Sequence, residues 1–89
     1  MKKVQIDIRN IHTVKALHIY LAYCLDLPAH YGKNLDALHD VLCDESRETT
    51  VVLSGTGEAQ GELAAYAPRL KRVLEDAAAE NARLHVEIK

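Results

Sequence analysis

Hydrophobic and polar residues alternate at both ends of the chain. Val4, Ile6 and Ile8 oppose Lys3, Gln5 and Asp7 near the start; Leu84, Val86 and Ile88 oppose Arg83, His85 and Glu87 near the finish. A period of two marks a strand buried on one side. Between them, the β-branched run TTVVL at 49–53 predicts another strand. Elsewhere the apolar positions recur at helical spacing. Thr13 is placed to cap a helix over 14–25, although Ala16 at its third position denies it a capping box. That helix is apolar nearly all round, with one stripe of Val14, Leu17, Leu21 and Leu25 and another of Ala16, Ile19, Tyr20 and Tyr23. Only Lys15 and His18 interrupt it, which implies deep burial or contact with a second subunit. His18 reads as a boundary histidine with satisfied hydrogen bonds rather than as a ligand.

Asp26-Leu27-Pro28 ends this helix, because the residue before proline avoids the α region. Gly32 then supplies backbone freedom before Asn34, which caps a short helix over 35–43. Leu35, Leu38, Val41 and Leu42 share its core side. After the second strand comes SGTGEAQG at 54–61. Its glycine spacing is wrong for a dinucleotide loop, it lacks a Walker lysine, and Glu58 would repel phosphate, so it reads as a flexible connector. Leu63, Tyr66, Leu70, Val73, Leu74 and Ala77 keep helical spacing, with a break expected near Pro68 and closure at Asn81. The order is therefore β-α-α-β-α-α-β, or the same with the last two helices merged.

Strands separated by helices favour a parallel sheet, and right-handed crossovers in one direction give strand order 1-2-3 with all helices on one face. Fully covered parallel strands read as continuous apolar runs. Two of these strands alternate, which predicts an α/β two-layer sandwich: a three-stranded parallel sheet, three to four helices and one exposed sheet face. Residues 1–89 make a single domain. Its core must be aliphatic, since the chain has no Phe or Trp and four Tyr.

Charge changes the picture more than composition does. Residues 34–48 carry five acidic side chains against Arg47, a net −4 in a chain whose total is −2. Asp36, Asp40 and Asp44 line the solvent side of the second helix at i, i+4 and i+8. Like charges so placed cost about 0.2–0.5 kcal/mol per pair, and Asp44 lies at the helix end that disfavours negative charge. Stability alone would put a lysine in that row. The row is shaped for a cationic partner and repels nucleic acid. The first ten residues lack the apolar core of a signal peptide, and no apolar run approaches a membrane span, which predicts a cytoplasmic protein. Cys24 and Cys43 are then expected as reduced thiols.

The segment Tyr31-Gly32-Lys33-Asn34-Leu35-Asp36-Ala37-Leu38-His39-Asp40-Val41-Leu42 resembles the signature of the barstar family of intracellular ribonuclease inhibitors. The family pattern is aromatic-Gly-x-Asn-(Leu/Trp)-Asp-Ala-Leu-x-Asp, preceded by a loop with leucine and proline like Leu27-Pro28. The resemblance implies a non-enzymatic inhibitor, without cofactor, that binds a secreted microbial ribonuclease of the barnase type in a one-to-one complex. It implies that Asp40 takes the place of a substrate phosphate in the nuclease active site, that Asp36 supports it, that His30 packs on the active-site histidine, and that His39 meets the rim. Asp76, late in the last helix, is the nearest match to a peripheral ion-pairing acid. Tyr31, Asn34 and Asp44 complete the expected partner-binding set. The chain departs from the family where barstar carries aromatic residues and this sequence has His30 and His39, and Lys33 adds a positive charge beside the row. These positions bear on which nuclease is selected and add pH-sensitive side chains.

Two other function classes compete. An immunity or regulatory protein with the same fold would bind a non-ribonuclease toxin, since interfaces diverge on a shared fold. A metal-binding protein would use His30, Asp36, His39 and Asp40, but these offer no closed ligand set, and no residue is assigned to metal. The free chain is expected to be a monomer, with the apolar first helix as the surface a homodimer would use.

Overall fold

Both predicted helix caps are in place in the computed structural model, which describes residues 2–89. Thr13 accepts a hydrogen bond from the Ala16 amide at 3.1 Å and begins α1 (Val14–Leu25). A distant acid adds to the cap: Glu62 Oε2 accepts from the Val14 amide at 3.1 Å, filling one of the open donors of that first turn. Asp26 closes α1 in the left-handed region (φ 54°), a conformation that Asp tolerates better than most residues.

β1 (Lys2–Asp7), β2 (Thr49–Ser54) and β3 (Leu84–Ile88) form one parallel sheet in the order β1-β2-β3. Val4, Val51 and Val86 stand opposite one another across it. α1, α2 (Leu35–Cys43) and α3 (Glu62–Glu80) supply the other layer. Val4, Ile6, Ile8, Val51 and Leu53 pack against Leu17, Leu21, Leu38, Leu63, Leu70 and Leu74 in one aliphatic core. The opposite sheet face exposes Lys3, Gln5, His85 and Glu87. On that face only Val52 is buried, sheltered in register between Gln5 and Glu87. The two-layer α/β expectation therefore holds.

Three local expectations are corrected. Pro68 does not break the last helix; α3 runs through it as one element, preceded by a 3-10 turn at Thr56–Glu58. Proline removes the donor that the Ala64 carbonyl would use, but both residues lie at exposed positions, where that loss costs least. The connector after β2 is tightly shaped rather than slack. Gly55 has φ 86°, and a Cβ there would lie 2.6 Å from Arg9 Cγ. Gly32 serves by its size, since a Cβ would approach Ala37 Cβ to 3.2 Å. The left-handed residue of that loop is Lys33, at φ 56°.

Candidate functional site

Asn34 makes α2 begin where it does. Its Oδ1 accepts from the Ala37 amide at 2.8 Å, and its Nδ2 donates to the Gly32 carbonyl at 3.2 Å, fixing the turn before the helix. Leu35, Leu38 and Leu42 bury the inner face, with Val41 partly buried beside them. This anchorage leaves Asp36, Asp40 and Asp44 exposed on the outer side. Among the described residues, none of the three takes part in an ion pair. Asp36 sits in the first turn, where the open amides favour a carboxylate, and Asp44 is the C-cap, where none do.

The loop before α2 is held from inside. Tyr31, expected among the partner-binding residues, is 6% exposed and points into the core. Its hydroxyl lies 2.6 Å from His18 Nδ1, and Tyr66 Oη lies 2.7 Å from Nε2 of the same ring. His18 is itself fully buried, not a boundary residue, and every polar atom of its ring is matched. Burial holds its pKa below the usual imidazole range and pushes the hydroxyls of Tyr31 and Tyr66 upward. One imidazole thus joins α1, the loop and α3. Tyr31 positions the loop, while His30 beside it is exposed.

The far end of α2 is clamped by α3. Asn81 is nearly buried and caps α3 with φ −121°, not in the left-handed geometry expected of a closing residue. Its Nδ2 donates to the carbonyls of Leu42 at 2.8 Å and Glu45 at 3.0 Å. Asp76 is exposed and pairs with Arg72, one turn earlier, at 3.8 Å. The α3 acid that reaches α2 is Glu80, whose Oε2 lies 3.2 Å from His39 Nε2 and accepts from the Cys43 thiol at 3.2 Å. Burial, then the hydrogen bond to Glu80 and the charges of Glu80, Asp40 and Asp44, push that thiol up to about 11. His39 is half-exposed, so it stands at the border between the acidic face and α3. His30, Asp36 and Asp40 do not join a ligand set. Among the described residues, the group of three potential metal ligands that does come together is His39, Cys43 and Glu80.

A family model described as "Barstar (barnase inhibitor)" matches residues 1–89. The chain belongs to the barstar family. A Bacillus subtilis (strain 168) protein named "Putative ribonuclease inhibitor YrdF" is 36% identical to it over 78 residues, covering 86% of each chain. The acidic helix described above is therefore borne on a barstar scaffold throughout.

Proposed function

We propose that this chain inhibits a ribonuclease by docking α2 and its preceding loop into the enzyme's basic active-site cleft. The observation that carries the reading is the row of unpaired carboxylates, Asp36, Asp40 and Asp44, on a helix fixed at one end by Asn34 and at the other by Asn81. A nuclease cleft is built to hold phosphates. A carboxylate accepts paired hydrogen bonds from arginine much as two phosphate oxygens do, so Asp40, midway along the row, occupies the phosphate position. Docking also relieves the repulsion along the row. His30, Asn34 and His39 flank the carboxylates, and Asp76 contributes from the side as an exposed acid on α3. The complex is one-to-one and forms in the cytoplasm of the producing cell. With histidines at positions 30 and 39, the target is a nuclease whose rim accepts polar rings, of the barnase class or a related toxin.

The test is inhibition by Asp40→Ala. The expected loss exceeds about 30-fold, corresponding to an interface hot spot of about 2 kcal/mol, with thermal stability unchanged or slightly raised. Association by the wild type should also slow with added salt. Inhibition by Asp40→Ala equal to wild type would remove Asp40 from the mechanism. A pull-down from the producing organism that returns a toxin without nuclease activity would instead favour the immunity-protein reading.

A further inference from the structure

We propose that His39, Cys43 and Glu80 form a binding site for a zinc-class divalent cation at the junction of α2 and α3. The three bring the donor types such an ion prefers: an imidazole nitrogen, a sulfur and a carboxylate oxygen. Sulfur and imidazole together select zinc or cobalt over magnesium and calcium, which take oxygen.

Geometry supports the assignment. His39 and Cys43 are one helical turn apart and share a face of α2; the last turn of α3 brings Glu80 to them. Cys43 Sγ lies 3.7 Å from His39 Nε2 and 3.2 Å from Glu80 Oε2, and the latter two atoms are 3.2 Å apart. Tetrahedral zinc, with bonds of about 2.3 Å to sulfur and about 2.0–2.1 Å to nitrogen or oxygen, sets its ligands roughly 3.3–3.6 Å from one another. The triangle is already within a few tenths of an ångström of that size. It is also held firmly. Asn81, the residue after Glu80, donates to the carbonyls of Leu42 and Glu45 on either side of the cysteine's turn. The neighbouring carboxylates of Asp40 and Asp44 add a field that favours a cation.

Without metal the thiol donates to Glu80, and His39 Nε2 lies beside both the sulfur and the same carboxylate oxygen. On binding, the Cys43 proton leaves to solvent as the sulfur–metal bond forms. Glu80 Oε2 exchanges its thiol contact for the ion, and neutral His39 ligates through Nε2 and keeps its proton on Nδ1. Glu80 and His39 are both open to water, so a solvent molecule completes the tetrahedron. One consequence rests on the ribonuclease reading: a dication that engages His39 beside Asp40 weakens a face meant for a cationic cleft, which makes metal and nuclease compete.

The test uses the reduced, full-length chain and Co²⁺ alone, with no nuclease present. One Co²⁺ per chain should give a thiolate-to-cobalt charge-transfer band and the strong visible absorption of a tetrahedral ion, both bleached by Zn²⁺. Cys24→Ser should leave the spectrum unchanged, and Cys43→Ser should remove the charge-transfer band. Glu80→Gln, a change at an exposed position, should weaken binding by more than the roughly 10–100-fold that loss of an outer-shell partner costs. Absence of the band, its survival in Cys43→Ser, its loss in Cys24→Ser, or wild-type affinity in Glu80→Gln would each overturn the site. None of these outcomes bears on inhibition of a ribonuclease.

Discussion

Asn81→Ala is the sharpest probe of how the acidic helix is held. The side chain is 9% exposed and makes three hydrogen bonds: from Nδ2 to the carbonyls of Leu42 (2.8 Å) and Glu45 (3.0 Å), and to Oδ1 from the Arg83 amide (3.0 Å). Each such bond contributes about 1 kcal/mol net, and a buried group left without a partner costs about 1–3 kcal/mol. The Leu42 carbonyl is buried, while the Glu45 and Arg83 contacts lie where water has partial access. The expected loss is therefore about 2–3 kcal/mol, which lowers Tm by roughly 10–20 °C in a domain of this size. Calorimetry and urea unfolding followed by circular dichroism measure it directly. Amide exchange at Asp44 and Glu45 should quicken more than exchange at Leu38, because the freed end of α2 frays first. Asn81→Asp is the companion. It keeps an acceptor for the Arg83 amide but sets a carboxylate against two carbonyl oxygens, so it should be at least as damaging at neutral pH. A loss below about 0.5 kcal/mol for the alanine variant, within the range of ordinary surface substitutions, would refute the clamp.

Other positions separate core, turn and titration effects. Leu38→Ala, at a fully buried site, should cost about 2.7–5.0 kcal/mol in urea unfolding; an effect as small as that of Asp40→Ala would mean the faces of α2 are misassigned. Gly55→Ala meets both a left-handed φ and Arg9, and a Tm within error of wild type would show that this turn relaxes freely; the expected cost is about 1–3 kcal/mol. His18 is buried neutral, so its stabilising effect is complete above the unfolded-state pKa of 6.5 and is lost as pH falls below that value toward its depressed folded pKa. Over that window the unfolded chain takes up the extra proton, and stability should fall by at most about 1.4 kcal/mol per pH unit from this residue. Unfolding at pH 7.5 and pH 5.5 reads the drop, and His18→Phe should shrink it; an unchanged slope would refute the assignment to His18.

What the sequence displays clearly is whatever depends on neighbours in the chain. The caps at Thr13 and Asn34, the alternation of β1 and β3, and the leucine and aspartate faces of α2 all follow from residues within one or two turns of each other. The corrections come from contacts between distant segments. Tyr31 reads as a loop aromatic until His18, 13 residues earlier and itself held by Tyr66 at a separation of 48, draws it inward. Asp76 and Glu80 are both carboxylates near the end of α3, one turn apart, and only the docking of α3 on α2 brings Glu80 against His39. The Cys43 cluster was hidden for the same reason, since its third member lies 37 residues away. Pro68 misleads in the opposite sense, because a strong local signal is overridden by the buried leucines on either side of it.

The parallel pairing of β1 with β2 sets a schedule for this molecule. Lys2 stands opposite Thr49, so the first strand pair closes a loop that contains both α1 and α2. Closing a chain segment of that length costs about 3.4 kcal/mol of entropy beyond a constant, before any strand contact repays it. Such non-local pairing slows folding relative to a helical bundle of equal size. α2 lies within that loop and packs chiefly against α3, so the face that carries the aspartates also needs the more distant α2–α3 contact. Chain topology thus governs how soon after synthesis the acidic face of α2 exists.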